Sequence, residues 1–423
     1  MRIVLMQGGV ETLDFFSRRL GESFQSMGHT VFYHDLREGA SSAKHLKKFQ
    51  KSGETVLFTF NFEGLEREEG LFSLREGYLW QQYRIPCFNY CVDHPYWYEN
   101  RFAHLLEDEE HHPGTLALYH HLSVDRNHER YLKEFYPEFR SAGFLPLAGT
   151  AVGTEGCVDT GAFPYRPSET ASASAVFADR KIKILFTGHY TELPFFEESI
   201  HAVNEEYAAF YQGIIDELIA EPDKTVEEVA LAHVRRETGS ESVRELRLVL
   251  YKMLFVDLYV RNFFRGKAVQ TLCDAGFPVT VIGKGWEKLP LKKKENLLLR
   301  PRTDSAGCLR ALRESRLSLN VLPWFKDGAH DRVWNSILNG AVCLTDPSVY
   351  LREVLPDGAG VRYFSLKEME SELPACAEKL LSDPALCEEM LLRGMPAARQ
   401  RHTWKQRAET LLPMLEEGIK CQS

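Results

Sequence analysis

The sequence predicts an α/β protein with two parallel β-sheets in tandem, and three observations lead to this class. Short apolar runs of strand length alternate with segments of helical length throughout the 423-residue chain. A stretch rich in Ser, Ala and Pro (164–181) separates the two series of runs. The length exceeds that of one ordinary core and suits two or three. This rhythm is typical of parallel sheets with crossover helices.

The first series of runs indicates an N-terminal domain over residues 1–165. The helical segment FFSRRLGESFQSMGH follows the first run, and Gly28 is placed to end it. The spacing of the runs predicts a Rossmann-like domain. Its predicted strands are RIVLM (2–6), TVFYHD (30–35), TVLFTFN (55–61), PCFNYCVD (86–93), TLALYHHL (115–122) and GFLPLAG (143–149).

The second series indicates another Rossmann-like domain over 181–400, after a linker at 166–180. Apolar residues at helical spacing predict a helical insertion at 195–273. Helices are expected over 366–392 and about 403–419, and the segment 401–423 is predicted to return to the N-terminal domain. The predicted strands are KIKILFTG (181–188), FPVTVIGKGW (277–286), NLLLRPR (296–302), RLSLNVLP (316–323), GAVCLTD (340–346) and VRYFS (361–365).

The composition excludes several classes of protein. A net charge of −9 and a pI near 6.0 argue against nucleic-acid binding. The single basic run, 292–294, is interpreted as a solvated loop rather than a phosphate track. No stretch approaches 18 apolar residues, so no membrane span is expected, and the start of the chain does not resemble a signal peptide. Nine scattered cysteines indicate a reduced, cytoplasmic protein without a zinc site.

Ligands of open parallel sheets bind beyond the carboxyl ends of the strands. The charged loop WFKDGAHD lies there, directly before a helix that ends at Gly340. The first backbone N–H groups of that helix attract anions, and Arg332 adds a forked donor suited to phosphate oxygens. The alternative is that Asp327 or Asp331 caps the helix and that Arg332 pairs with a carboxylate.

Here the sequence resembles a known family. HDRVWNSILNGAVCLTD (330–346), with HTWKQRAETLL (402–412), is similar to the donor-binding half of GT-B glycosyltransferases, in particular the bacterial branch related to spore-maturation glycosyltransferases. Arg332, Trp334, Gly340 and Ala341 fall on the helix pattern of that branch, and the resemblance covers roughly 250–412. It implies two Rossmann-like domains facing across a cleft. It also implies sugar transfer from a nucleotide-diphosphate donor on the second domain to a protein, glycan or small-molecule acceptor on the first.

The resemblance also implies a donor site. Many GT-B enzymes carry two glutamates separated by seven residues, one near the donor sugar and one on the ribose. This chain has Asp327 and Asn335 at those positions, and the neutral amide of Asn335 is expected to bind a ribose hydroxyl less strongly than a carboxylate. TGHYTE (187–192) and GKGW (283–286) follow neighbouring strands and complete the site, although each also fits a plain turn, with Trp286 in the core. The predicted donor-binding residues are Gly188, His189, Lys284, Trp286, Asp327, His330, Asp331, Arg332 and Asn335.

The acceptor side is predicted in NYCVDHPYWYENRF (89–102). Asp93 and His94 leave a strand end where either could deprotonate an acceptor hydroxyl, so they are the candidate catalytic residues. Tyr96 and Trp97 could form a platform for the acceptor, and His121 follows the next strand. The alternatives are a helix cap at Asp93, a packed aromatic loop and a structural histidine.

No metal or cofactor is expected. The sequence has no D-x-D triplet, and the turn at 7–9 lacks the G-x-G-x-x-G fingerprint of dinucleotide-binding proteins. Arg332, Lys284 and helix dipoles are predicted to neutralise the leaving diphosphate instead. Two other functions stay open at this point: a nucleotide-sugar epimerase on the same plan, and a non-catalytic nucleotide-sugar-binding paralogue.

Overall fold

The computed structural model describes residues 1–153, 177, 179–239, 242–322 and 324–421. Most of the predicted linker 166–180 therefore lies outside the described residues. The described chain forms two compact units: the first contains 1–147 and 403–421, and the second contains 148–153 and the described residues of 177–402. Each unit is built on one six-stranded parallel sheet. The predicted α/β class with two parallel sheets is confirmed.

The first unit contains a sheet with strand order β2-β1-β3-β6-β7-β8, and a separate hairpin pairs β4 with β5. The central strand β3 is buried along its whole length, as expected for a mostly apolar strand inside a parallel sheet. The strands are β1 (Arg2–Gln7), β2 (Thr30–Asp35), β3 (Thr55–Phe60), β4 (Phe72–Ser73), β5 (Gly77–Tyr78), β6 (Cys87–Cys91), β7 (Tyr119–Ser123) and β8 (Ser141–Phe144).

Helices cover the first sheet and bury apolar side chains against it. The last helix of the chain belongs to this unit, because the Trp404 ring packs 5.0 Å from Phe16 and 6.2 Å from Phe60, and Arg407 donates hydrogen bonds to the carbonyls of Pro146 and Leu147. The helices of the first unit up to β8 are α1 (Glu11–Ser26), α2 (Gly39–Phe49), α3 (Leu79–Gln82), α4 (Glu99–His111), α5 (Thr115–Leu118) and α6 (Arg126–Phe135).

The second unit contains a sheet with strand order β11-β10-β9-β12-β13-β14. Its inner strands β10 and β13 are fully buried, whereas β11 forms one edge. The strands are β9 (Ile182–Thr187), β10 (Val279–Ile282), β11 (Leu297–Arg300), β12 (Ser315–Leu319), β13 (Val342–Thr345) and β14 (Val361–Tyr363).

Helices connect β9 to β10, as the apolar periodicity of 195–273 predicts. The helix predicted over 366–392 is broken instead: Asp383 accepts a hydrogen bond from the backbone of Leu386, and Pro384 begins a new helix. The helices after β9 are α7 (Glu197–Ile200), α8 (Glu205–Ala220), α9 (Val226–Thr238), α10 (Val243–Lys252), α11 (Leu254–Asp274), α12 (Ser305–Arg313), α13 (Asp331–Leu338), α14 (Val349–Val354), α15 (Met369–Ser382), α16 (Pro384–Arg401) and α17 (Trp404–Lys420).

Each sheet has a switch point, where the direction of strand addition reverses. In the first unit it lies between β1 and β3, and in the second between β9 and β12. Loops leave these neighbouring strands in opposite directions and open a crevice at the carboxyl edge, where ligands of such sheets bind. A ligand site is therefore expected at the loops that follow β1 and β3 in the first unit, and β9 and β12 in the second.

Two further observations concern the described chain as a whole. None of its helices is both long and apolar enough to cross a membrane. The cysteines in the described residues form no disulfide.

Candidate functional site

The loops after β9 and β10 are interlocked beside the second-unit switch point. A Cβ on Gly283 would lie 2.0 Å from the carbonyl oxygen of Gly188, so the two backbones approach as only glycine allows. Trp286 donates its indole N–H to the same carbonyl at 2.8 Å. Its ring is fully buried beside Tyr190 and is not available for stacking on a base, which is the core placement that the sequence left open.

His189 lies on this loop pair among several positive charges. Its Nδ1 accepts a hydrogen bond from the backbone N–H of Lys284 at 2.9 Å, and Arg265 donates to its carbonyl at 3.3 Å. Burial lowers the pKa of His189, and the charges of Arg302, Lys284 and Arg265 lower it further. The cations around this imidazole mark a surface suited to an anionic ligand.

Arg332 brings the loop after β12 to the same place. Its Nε donates to the Asn320 carbonyl oxygen at 2.8 Å, and the Asn320 amide donates to Thr345 Oγ1 at 2.9 Å. A Cβ on Gly188 would meet Arg332 Nη1 at 4.0 Å. The guanidinium therefore lies across the second-unit switch point, held through Nε, with an Nη group beside the glycine loop.

His330 and Asp331 form the start of helix α13. The Nδ1 of His330 accepts from the backbone N–H of Arg332 at 3.3 Å and also contacts the Asp331 carboxylate. Burial lowers the pKa of His330, and the charge of Arg332 lowers it further. Burial alone would raise the pKa of Asp331, but its contacts with His330 and Arg332 outweigh burial and the pKa is lowered. At neutral pH the helix start thus carries a neutral imidazole and an ionised carboxylate.

The side-chain amide of Asn335 both accepts and donates a hydrogen bond within the second unit. Its Oδ1 accepts from the backbone N–H of Thr150 at 2.7 Å, and its Nδ2 donates to Asp331 at 2.8 Å. One turn later, Asn339 donates to the Thr150 carbonyl and accepts from the backbone N–H of Val152, both at 2.8 Å. The two asparagines therefore clamp the segment 150–152 onto α13. The amide expected to bind a ribose hydroxyl is engaged by the chain itself.

The loop between β12 and α13 is tied to the loop after β13. Ser348 Oγ donates to the Gly328 carbonyl at 2.6 Å, and the backbone of Leu322 donates to Asp346 Oδ1 at 2.7 Å. The predicted site residue Asp327 is buried in this loop. Asp346 Oδ2 is buried without a hydrogen-bond partner among the described residues, and burial raises the pKa of this carboxyl to about 6.

In the first unit, Asp93 lies at the carboxyl end of β6 and is partly exposed. Its Oδ2 accepts from Asn61 Nδ2 at 2.9 Å and from the Tyr98 hydroxyl at 3.0 Å. Asn61 in turn accepts from the backbone N–H of Val92 at 2.8 Å. The carboxylate is therefore held in one orientation, as a general base requires.

Asn61 and the next residue, Phe62, both adopt left-handed backbone conformations, with φ of 46° and 64°. Such a conformation is costly for a bulky side chain. Phe62 compensates by burying its ring against Phe102 and Tyr98, with centroids 5.0 and 5.3 Å away. This strained turn is what carries Asn61 to the Asp93 carboxylate.

The remaining acceptor candidates lie mostly in the core. His94 is buried and stacks on Tyr96, whose exposed fraction is 1%. His121 is fully buried, its Nδ1 is 3.0 Å from the Tyr119 hydroxyl, and burial lowers its pKa to about 3. The structure does not bring these three side chains to the surface, whereas Trp97 is partly exposed.

The first-unit switch point is filled by a side chain of the unit itself. Glu63, three residues after β3, accepts from the backbone N–H of Val10 at 2.8 Å, and a Cβ on Gly9 would lie 2.1 Å from Glu63 Oε1. The N–H of Gly8 is likewise bonded to Asp14 at 2.9 Å. Burial raises the pKa of Glu63 to about 7. Carboxyl groups thus occupy the place where a phosphate would bind at the start of α1.

The two switch points therefore differ in electrostatics. The second presents the cations Arg332, Arg265 and Lys284 around glycine loops, whereas the first presents carboxyl groups. Among the described residues, no group of three or more His, Cys, Asp and Glu is arranged to hold a metal ion. The arrangement suits an anionic ligand in the second unit and an uncharged hydroxyl ligand in the first.

Arg261 and Arg265 are site residues that the sequence alone did not indicate. They lie four residues apart on α11, hence on one helix face, and Arg265 reaches His189. Burial lowers the pKa of Arg332, and the charge of Arg261 lowers it further, so this face lies near the donor side. The i, i+4 pair was a visible signal, but only the tertiary packing of α11 shows what it faces.

Comparison with known proteins gives one family match. Residues 261–413 match a family described as glycosyl transferase-like, and no curated protein matches the chain. The matched residues include α13 and the loop before it, and most of them lie in the second unit.

Three solved structures of similar fold cover nearly the whole chain. Sucrose-phosphate synthase from Thermosynechococcus elongatus is similar with a TM-score of 0.55 and 11% identity, over 100% of both chains. The DNA-modifying enzyme β-glucosyltransferase, solved with and without its substrate uridine diphosphoglucose, has a TM-score of 0.52 and 11% identity, over 99% of this chain and 100% of that chain. Anabaena HepE in complex with UDP has a TM-score of 0.50 and 8% identity, over 99% and 100%.

These matches confirm the predicted GT-B fold, with two parallel α/β sheets. Glycosyltransferase, the enzyme class expected from the sequence, is the class of the matching family and of β-glucosyltransferase, and the prediction is confirmed at that level.

Proposed function

We propose that the protein transfers a sugar from a nucleotide-diphosphate-sugar donor, bound by the second unit, to an acceptor held by the first. The acceptor nucleophile is a hydroxyl of a protein, glycan or small molecule. The chain is proposed to belong to the branch related to spore-maturation glycosyltransferases and to act in the cytoplasm.

One observation carries the donor assignment. The guanidinium of Arg332 lies beside Gly188 at the second-unit switch point, within the cationic surface around His189. A diphosphate at this place would receive the Arg332 Nη groups and the side chains of Lys284 and Arg265. The carboxyl groups at the first-unit switch point would repel the same ligand.

The same cations support a metal-independent reaction. When the bond between sugar and diphosphate breaks, negative charge grows on the leaving oxygen, and fixed positive groups nearby stabilise it without reorganising. Arg332 is suited to this role because its hydrogen bond to Asn320 fixes the guanidinium plane. In the first unit, Asp93 is the proposed base, since Asn61 and Tyr98 hold its carboxylate at a strand end.

A panel of UDP, GDP, ADP, CMP and dTDP sugars, tested by thermal shift with and without EDTA, identifies the donor. UDP-glucose is the first donor to test, because two of the similar structures contain UDP or UDP-glucose. A ligand that binds the folded state raises the melting temperature, and the proposal expects a selective rise that EDTA does not remove. A rise that disappears with EDTA would contradict metal independence.

The engagement of Asn335 by Thr150 and Asp331 favours one alternative, a nucleotide-sugar-binding protein without turnover. Donor hydrolysis separates the two functions. Release of free sugar from the donor that shifts the melting temperature supports an enzyme. Binding without release, also in the presence of varied acceptors, supports the binding protein.

A further inference from the structure

Strand β11 forms an unusually exposed edge of the second sheet. Among the described residues it pairs only with β10, so the outer edge of its backbone has no partner strand. Such an edge offers alternating N–H and C=O groups to another strand. The edge lies on the opposite side of β9 from the switch point, so it is separate from the proposed donor site.

Apolar side chains stand exposed on both faces of this strand. Leu298 and Leu299 are 47% and 54% exposed, and successive residues of a strand point to opposite faces. Three of the four residues of β11 are exposed, against one of six in β2 and none in β8 or β14, the other edge strands of the two large sheets. The residues of β11 are therefore more exposed to solvent than those of the other three edge strands, β2, β8 and β14.

The segment around β11 is strongly basic. Between 292 and 302 there are five lysines and arginines and one acid, Glu295, which gives +4 in a chain whose net charge is −9. The backbone N–H groups of Lys292 and Lys293 are bonded to Asp274 at 2.8 and 3.1 Å, and the Asn296 amide donates to the Cys273 carbonyl at 2.8 Å. The basic segment is thus held against the end of α11 rather than left loose.

This charge decides between two kinds of occupant. Antiparallel pairing with a second copy would bring two segments of +4 together, which electrostatic repulsion opposes. Positive charges and Pro301 also protect an edge from aggregation, but protection alone would place charge at 298 or 299 rather than leucine. A partner strand with apolar residues flanked by acidic ones would contact Leu298 and Leu299 and would also be attracted by the basic residues on either side of them.

We propose that β11 is a docking edge for an acidic, extended polypeptide segment, which adds to the second sheet as a further strand. Backbone hydrogen bonds supply the pairing, Leu298 and Leu299 contact apolar side chains of the partner, and residues 292–294 with Arg300 attract its acidic flanks. This docking is independent of donor binding, so the failure of one does not decide the other.

Fluorescence anisotropy with a labelled peptide tests the proposal on the whole chain. The probe is Glu-Asp-Leu-Val-Leu-Asp-Glu, and its matched control carries N-methyl groups on the three central amides, which preserves charge and side chains but blocks strand pairing. We expect the probe to bind, with an affinity that falls as salt rises, and the methylated control to bind at least about tenfold more weakly.

Variants locate the binding to the edge. The double variant Leu298→Ser/Leu299→Ser should weaken binding at least about tenfold, and the triple variant Lys292→Gln/Lys293→Gln/Lys294→Gln should weaken binding and reduce its salt dependence. The matched controls are Leu74→Ser, at an exposed leucine of the first unit, and Lys47→Gln/Lys48→Gln, which should leave binding unchanged. All these side chains are exposed, so the variants should keep the fold.

Several results would overturn the proposal. They are absence of probe binding, equal binding of the methylated peptide, or full binding by Leu298→Ser/Leu299→Ser. A concentration-dependent dimer in sedimentation that this double variant dissociates would assign the edge to a second copy instead.

Discussion

At the scale of single residues, donor recognition depends on how Arg332 is held. Its Nε donates a hydrogen bond to Asn320, and the Asn320 amide donates one to Thr345. Because Asn320 and Thr345 are fully buried, these hydrogen bonds fix the orientation of the guanidinium. The Nη groups point toward the glycine loop at Gly188. Fixed geometry matters because a forked donor binds phosphate oxygens through two bonds at once.

Replacing Arg332 by alanine should weaken donor binding at least about tenfold, equivalent to about 1.4 kcal/mol, because a charge-assisted contact is lost. Calorimetric titration of the donor measures the change. Arg300→Ala is the matched control, since Arg300 lies at the far edge of the same sheet and should leave affinity unchanged. Equal affinities of the wild type and Arg332→Ala would remove Arg332 from the site.

Asp93→Asn should abolish transfer and leave donor affinity intact, because the variant keeps the shape of the side chain but loses the base. Rates of transfer and donor titration, measured on the same preparation, separate the two effects. Asp35→Asn, at the end of the edge strand β2 of the same sheet, is the control and should keep its activity. A fully active Asp93→Asn variant would show that another group accepts the proton.

The stability of the chain should depend on pH through Glu63. Its pKa is about 7 in the folded chain against an ordinary value of 4.5, so between these values the folded state keeps a proton that the unfolded state releases. Stability from this group therefore falls as pH rises from about 4.5 to 7 and is constant above. Urea unfolding across this range should show a smaller fall for Glu63→Gln than for the wild type, whereas Glu76→Gln, at an exposed site, should follow the wild type. Identical profiles for Glu63→Gln and the wild type would refute the assignment.

At the scale of elements, α13 serves two purposes on two of its faces. Its start presents His330 and Arg332, and its next turns hold the segment 150–152 through Asn335 and Asn339. The loop before it is tied to the loop after β13 by Ser348. The donor-side residues therefore sit on an element that is anchored at both ends.

Asn335→Ala should lower the free energy of unfolding by about 1–3 kcal/mol, because the backbone N–H of Thr150 loses its buried acceptor. Donor affinity of the folded variant should change little, since the Asn335 amide is already hydrogen-bonded to Thr150 and Asp331. Denaturant unfolding and donor titration measure the two quantities, and Gln212→Ala, at an exposed position, is the surface control. A large loss of donor affinity with no loss in the free energy of unfolding would indicate that Asn335 binds the donor ribose.

At the scale of the whole molecule, the sequence predicts the two sheets well because apolar runs and helical periodicity are local signals. The parallel strands β3, β10 and β13 are mostly apolar without alternation of polar residues, as expected for strands that are buried on both faces. The break at Asp383 was missed because apolar residues continue past it, although the Asp-Pro pair was visible.

The site was harder to predict because its roles depend on which side chains the fold brings together. Gly188, His189, Lys284 and Arg332 meet as the parallel sheet requires of loops at its carboxyl edge. Glu63 was missed because nothing local distinguishes it from a surface charge, and Arg265 was missed because its i, i+4 spacing from Arg261 does not show what that helix face packs against. The sequence left Trp286 open between stacking on a base and packing in the core, since only burial separates those two environments.

Hydrogen–deuterium exchange of the whole chain with and without its donor tests the central claim most directly, namely that the second-unit switch point binds the nucleotide. We expect added protection in 187–191, 283–286 and 330–334, with no change in 7–10 or 61–63. Protection of the latter two segments alone would place the nucleotide in the first unit and contradict the account.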